Sequence, residues 1–296
     1  MVEERKPLGL FQQLHLFLEL IKFPHTIFAL PFALTGAVLA AQGIPEGEKI
    51  FWILVAMVGA RTGAMAVNRL VDMELDALNP RTAQRALPRG LLQPFTVLAM
   101  AIFSFALLVF AAAQLNRLCL LLSPLAIGLT VFYSYTKRFT SFSHLILGLC
   151  LACAPIGAWI AILGRVDLPP LVLGLAVLLW VAGFDILYSL TDIEFDRAHG
   201  LYSIPVRLGD KAGMRVSLVF HAAVPILLGI VGQLLQLGSL YYVGLVPVVF
   251  LLGYEHATLR RHGLKRLETA FLNVNGLISL IFFTFTLLDA MLIFPG

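Results

Sequence analysis

Charge is what this 296-residue chain has least of: 13% of its residues are Asp, Glu, Lys or Arg, against roughly 25% in an average soluble domain. So few charges do not coat a soluble surface. With 59% hydrophobic residues and a mean hydropathy of +0.91, the chain reads as built for lipid. Cysteine is also scarce. Cys119, Cys150 and Cys153 stand in apolar surroundings, and the CxxC of Cys150 and Cys153 has no second pair or nearby histidine to complete a metal site, so packing is their expected role. The basic, apolar, small-residue succession of a cleaved signal is missing too: Met1 to Gln13 is polar, and no signal peptide is expected. The net charge of +4 and pI near 9.1 come from residues spread over many loops without interleaved aromatics, so nucleic acid is not an expected partner.

What the chain has in quantity is long apolar runs. Nine can be marked, at about 14–41, 50–76, 94–113, 117–136, 143–164, 170–192, 212–235, 239–259 and 270–293, and runs of about 20 apolar residues predict membrane-spanning helices. The expected fold class is therefore all-α, a polytopic membrane protein of one domain over 1–296. Lys22, Pro24 and His25 interrupt the first run, which predicts an interfacial stretch before the span, with Pro31 placed to kink it. Lys and Arg gather in alternate connections: Arg81, Arg85 and Arg89; Lys137 and Arg138; Arg197, Arg207, Lys211 and Arg215; Arg260, Arg261, Lys265 and Arg266. By the positive-inside rule these loops and the N-terminus face the cytoplasm, which predicts a multi-pass protein of the inner (cytoplasmic) membrane with the lipid bilayer as partner.

A shift of 120 residues lays Asn68-Arg-Leu-Val-Asp72-Met-Glu-Leu-Asp76 on Tyr188-Ser-Leu-Thr-Asp192-Ile-Glu-Phe-Asp196, so that Asp, Glu and Asp coincide. The repeat-related halves would be about 14–136 and 143–259, with 270–293 a final helix. Aspartates four apart on a helix share a face. Two such carboxylates repel one another, and desolvation beside a bilayer adds to the cost, so each pair calls for a cation. Oxygen-only ligands suit Mg²⁺, which takes one or two carboxylates and completes its shell with water and substrate phosphates. Asp72, Asp76, Asp192 and Asp196 are the candidate metal ligands. Asn68 extends the first face, whereas Glu74 and Glu194 must point elsewhere. Seven of the seventeen acidic residues fall in or beside these motifs, a concentration that marks a site.

Groups suited to a polyanion lie nearby. Arg81 and Arg85 follow the first motif, and Tyr133 and Lys137 form a Tyr-x3-Lys; guanidinium forks and a lysine point charge both bind phosphate. Arg89, Arg138, Arg260 and Arg261 are expected to be no more than positive-inside anchors. Arg61 and Asp185 lie deeper, inside apolar runs, and would either pair with each other or line a pocket for a second substrate. The competing class is a secondary transporter of an organic anion, which predicts charges nearer the midplane and helix breaks within both repeated segments. The doubled acids instead stand at segment ends, and 50–76 and 170–192 contain no internal proline.

These stretches, with Asn79-Pro80-Arg81-Thr82, Tyr133-Ser-Tyr-Thr-Lys137-Arg138 and Asp185-Ile-Leu-Tyr-Ser-Leu-Thr-Asp192, resemble the UbiA superfamily of intramembrane aromatic prenyltransferases. The resemblance implies a bundle of nine transmembrane helices around a central cavity with a cytoplasmic cap. It implies that Asn68, Asp72, Asp76, Asp192 and Asp196 hold Mg²⁺ and diphosphate, that Arg81, Arg85, Tyr133 and Lys137 surround the phosphates, and that Arg61 and Asp185 lie near the aromatic acceptor. The implied reaction moves a polyprenyl group from polyprenyl diphosphate to a small aromatic acid, 4-hydroxybenzoate or 1,4-dihydroxy-6-naphthoate, in quinone biosynthesis. Asp72 and Asp185 are both candidates for the catalytic carboxylate. His25 is expected to be satisfied by backbone, and the remaining histidines, His144 among them, show no ligand spacing.

Overall fold

A backbone crossing lipid satisfies its polar groups only in helices or closed barrels. In the computed structural model of this chain, which describes residues 10–22, 30–262 and 267–294, every regular element is helical. Two short elements open it, α1 (Leu10–Leu20) and α2 (Leu30–Ala41), followed by α3 (Gly47–Val71) and α4 (Met73–Leu78). Then come α5 (Pro94–Leu115), α6 (Arg117–Thr136), α7 (Ser143–Leu163), α8 (Leu168–Ser189), α9 (Ile193–Ala198) and α10 (Ile204–Leu208). The chain closes with α11 (Asp210–Leu234), α12 (Ser239–His262) and α13 (Leu267–Ile293). Among the described residues, eight helices are long and apolar enough to cross a bilayer, and they coincide with the last eight predicted segments. The first predicted segment holds part of α1 and the 12-residue apolar helix α2, which is shorter than the eight spans. Pro31 is the second residue of α2, and the residues ahead of Leu30 that a kink there would involve lie outside the described residues. Pro24 and His25 lie outside the described residues.

Packing runs α3 on α5, α2 on α7, α7 on α8, α8 on α11, and α12 on α13. Lipid tails are as apolar as leucine, so helices in a membrane associate through close backbone approach. At Gly148 of α7 a Cβ would strike the Leu178 carbonyl of α8, and at Gly36 of α2 it would strike the Pro155 carbonyl of α7. An aromatic cluster joins four helices: Phe32 packs on Trp180 with ring centroids 4.9 Å apart and on Phe282 at 5.6 Å, and Tyr241 meets Phe282 at 5.7 Å. At the bundle end away from the aspartate motifs, Lys49 Nζ donates to the carbonyls of Leu115 (3.4 Å) and Ala161 (3.1 Å), helix ends that attract a cation. There too, Asp289 accepts from the N–H groups of Gly238 (2.8 Å) and Tyr241 (3.1 Å), tying α13 to the start of α12. All three cysteines are free and partly buried, in keeping with a packing role.

Because the Leu178 backbone cannot yield, Gly148→Ala should cost about 1–3 kcal/mol by overpacking and lower the thermal unfolding midpoint in detergent. Gly157→Ala on the same helix meets open space and should leave the midpoint unchanged or raise it.

Candidate active site

Both aspartate motifs fall where a long helix stops and a short one takes over. α3 ends at Val71, Asp72 turns the chain with φ −92° and ψ 6°, and α4 resumes at Met73. α8 ends at Ser189 and tightens into a 3₁₀ turn over Leu190–Asp192; Asp192 has φ −111° and ψ 6°, and α9 resumes at Ile193. The expected continuous helix is thus broken at the first aspartate of each pair. The break still keeps one turn, since the Asp76 N–H donates to the Asp72 carbonyl at 2.7 Å. It lets the second aspartate fold back against the bundle, where Asp76 and Asp196 are buried while Glu74 and Glu194 point outward.

Three of the four carboxylates are each held by an arginine. Arg85 Nη1 donates to both oxygens of Asp76 at 2.7 and 2.8 Å. Arg81 reaches from the loop after the first motif to the second, with Nε on Asp192 Oδ1 at 3.0 Å and Nη2 on Oδ2. Asn79 adds an amide donor to Asp192 Oδ1 at 3.2 Å, and the Arg81 guanidinium also bonds the Tyr188 hydroxyl at 2.8 Å. Asp72 takes Arg138 Nη1 at 3.0 Å and the Asn68 amide at 3.2 Å. Arg138 also donates to the Val71 carbonyl at 2.8 Å. The expectation of Arg138 as a mere anchor is therefore corrected: the helix break at Asp72 frees the Val71 carbonyl and brings the carboxylate beside it, making a two-point seat for the guanidinium. Arg89, Arg260 and Arg261 are exposed, as expected.

Asp196 differs from the other three: its Oδ2 is buried and has no hydrogen-bond partner. Lys137 lies in the field of Asp185, Asp196, Asp72 and Asp192; burial works to lower its ammonium, but these carboxylates prevail and hold it above its ordinary value. Burial raises Asp72 above the usual carboxylate range, with Arg138 and Lys137 opposing. The Tyr133 phenol is within electrostatic reach of Asp185 and Asp72.

The deeper pair does not form. Asp185 Oδ2 meets His144 Nδ1 at 2.7 Å, whereas Arg61 keeps a buried Nε with no hydrogen-bond partner among the described residues. Arg61 belongs to α3 and the carboxylate is taken by a residue of α7, so the expectation that the two pair with each other is corrected. Two residues join the site that the spacing of the motifs does not mark, His144 and Asn79. The polar Asn-Pro-Arg-Thr turn was the one cue to Asn79; nothing in the sequence points to His144.

Two carboxylate pairs, three guanidiniums and an ammonium thus gather at one end of a bundle of apolar helices. The model of the UbiA prenyltransferase family matches residues 29–284, and the chain belongs to that family. It is a prenyltransferase of the UbiA type, and the expected class of aromatic prenyltransferase stands with it. Similar curated proteins include the 4-hydroxybenzoate octaprenyltransferase of Aeromonas salmonicida, 33% identical over 82% of this chain and 84% of the relative. That of Francisella tularensis subsp. novicida is 30% identical over 84% and 87%. Among solved structures, an apo UbiA homolog from Aeropyrum pernix superposes with a TM-score of 0.83 at 34% identity, covering 90% of this chain and 98% of that one. A UbiA homolog from Archaeoglobus fulgidus bound to DMAPP and Mg2+ shares the fold at 19% identity and a TM-score of 0.73, over 93% and 98%.

Arg138→Ala removes a charge-assisted contact of about 1.5–3 kcal/mol, which corresponds to roughly a 10- to 150-fold loss of prenyl transfer if the contact serves the reacting state. Arg89→Ala should leave the rate unchanged; steady-state assays of both variants in detergent make the comparison.

Proposed function

We propose that the protein transfers a polyprenyl group from polyprenyl diphosphate to a small aromatic acid of the 4-hydroxybenzoate type, releasing diphosphate, as a Mg²⁺-dependent step of quinone biosynthesis. The observation that carries this reading is the convergence of Asp72, Asp76, Asp192 and Asp196 with Arg81, Arg85 and Lys137, while Arg61 lies deeper with a buried, unpartnered Nε. The named substrate of the Aeromonas and Francisella relatives and the DMAPP and Mg2+ of the Archaeoglobus homolog point the same way.

The donor set fits Mg²⁺. It is all oxygen, it includes the orphaned Asp196 Oδ2, and among the described residues no three His, Cys, Asp or Glu side chains form a ready-made cage. An ion completed by phosphate oxygens and water needs no such cage. Asp72 and Asp76 would hold one ion and Asp192 and Asp196 another; when bound, the metal supplies Lewis-acid neutralisation of the leaving diphosphate. Arg81 and Arg85, now committed to Asp192 and Asp76, are then released to the phosphate oxygens, joined by Lys137 and the Tyr133 hydroxyl. Asn68 keeps Asp72 oriented. Arg61 anchors the acceptor carboxylate as a fork. The allylic carbon–oxygen bond breaks, a ring carbon ortho to the hydroxyl bonds to the allylic carbon, and the proton on that ring carbon passes to a carboxylate. We assign that base to Asp185 rather than Asp72. Asp72 is taken by Arg138 and Asn68, whereas Asp185 Oδ1 has no hydrogen bond from a described residue and its side chain is 19% exposed. Apolar walls keep water from the allylic cation.

The same reading extends to architecture. The segment ending in α2 is the ninth span, the short helices α4, α9 and α10 form a cytoplasmic cap, and 1–296 is one domain with repeat-related halves about a central cavity. In its support, the two motifs share the same break at Asp72 and Asp192, and the basic loops 81–89 and 137–138 lie with them. On this reading the chain lies in the inner membrane with its N-terminus in the cytoplasm, as the basic loops call for.

Purified protein with Mg²⁺ and a polyprenyl diphosphate should prenylate 4-hydroxybenzoate, and Asp72→Ala and Asp192→Ala should each abolish turnover. A panel that includes 1,4-dihydroxy-6-naphthoate tests the acceptor, and a preference for that compound would move the protein to a menaquinone route. Asp72 also gives a pH test. Its folded value is raised above 3.8, so the metal-free protein is favoured with Asp72 protonated, below pH 3.8, and loses that contribution as pH rises through the raised value. Ligand binds the ionised form. The rise in unfolding midpoint given by Mg²⁺ plus diphosphate should therefore grow with pH up to that value and then level, and Asp72→Asn should flatten the dependence.

A further inference from the structure

His144 is the second residue of α7 and is fully buried. Its two nitrogens have unlike partners: Nδ1 meets Asp185 Oδ2 at 2.7 Å, and Nε2 meets the Ile204 backbone N–H at 3.4 Å. A backbone N–H only donates, so Nε2 carries the lone pair and Nδ1 carries the proton. The ring is thus locked in the one neutral tautomer that donates to Asp185. Oδ2 is fixed, and Oδ1 alone is left to face a substrate.

The donor that sets this tautomer belongs to a segment bound to the rest of the site. The Leu201 N–H donates to the Asp196 carbonyl at 2.8 Å, the Tyr202 N–H donates to the Lys137 carbonyl at 2.8 Å, and Ile204 follows two residues later on His144. Ser203, fully buried between them, accepts from the Val206 N–H at 3.2 Å and starts α10. Four consecutive residues therefore connect Asp196 and Lys137, at the diphosphate end, to the carboxylate on the acceptor side.

We infer that His144 is a positioning residue for prenyl transfer: through its Nδ1–H it orients Asp185 for the acceptor, and through Nε2 it takes that orientation from the 201–204 segment. The inference rests on the assignment of Asp185 to the acceptor side. Partners that orient a functional group in this way contribute about 10- to 100-fold when removed.

Asparagine and glutamine separate the two nitrogens. His144→Asn keeps an amide donor near the Nδ1 position, whereas His144→Gln carries its amide out toward Nε2 and leaves Asp185 without a donor. His144→Ala and His144→Gln should lower kcat about 10- to 100-fold with KM for the polyprenyl diphosphate unchanged, and His144→Asn should recover most of the loss. In an Asp185→Asn background the same His144→Gln change should cost nothing further, because the group it orients is gone. Unaltered kcat in His144→Ala would overturn the inference, as would equal losses in the Asn and Gln variants or an undiminished loss in the Asp185→Asn background. If the alanine variant does not fold, the Asn and Gln pair, checked by thermal unfolding, carries the test. Asp185→Asn alone distinguishes the layers: wild-type turnover there removes the role of Asp185 itself, whereas lost turnover there beside a normal His144→Gln removes only His144.

Discussion

The Arg81–Asp192 pair is the contact on which the site depends. Two unit charges 4 Å apart interact by about 4 kcal/mol at an effective dielectric of 20, so carboxylates gathered at one end of the bundle would drive the two motifs apart. Arg81 leaves the loop after the first motif and closes on the second, with Asn79 beside it. Sequence-distant halves are thereby joined through opposite charge, while Arg85 and Arg138 neutralise Asp76 and Asp72 locally. Two of these guanidiniums, Arg81 and Arg85, are the ones proposed to take the diphosphate, so on that reading the binding machinery and the structural glue share side chains.

The two halves agree in one respect and differ in another. Under the shift of 120 residues the motif aspartates coincide, but Arg61 falls on Val181 and Asp185 on Met65. On the proposed function, the repeated part serves a ligand that is itself two like phosphates. The deeper groups, which break the repeat, are the ones assigned to an aromatic acid that has no such symmetry.

Much of this was legible in the sequence, for definite reasons. Lipid forces apolar runs into helices, so the boundaries of 94–113, 117–136 and 143–164 lie within two residues of α5, α6 and α7. The motif acids stood out because charge is rare elsewhere. What escaped was conformational or long-range. The turn at Asp72 and at Asp192 leaves no proline or glycine to mark it. Arg138 looked like any loop arginine, because its value comes from a carbonyl that only the break at Val71 exposes. His144 meets Asp185 across two helices, a contact that no local periodicity encodes.

Helix α7 presses bare backbone against backbone on two sides, through Pro155 under Gly36 and through Gly148 over Leu178. Contacts of this kind leave no side-chain slack, so they fix the roll of α7 about its own axis as well as its depth. A helix keyed in this way is a datum from which other positions are measured. The imidazole at its start inherits that fixity, because Gly148 stands one turn beyond His144 on the same helix.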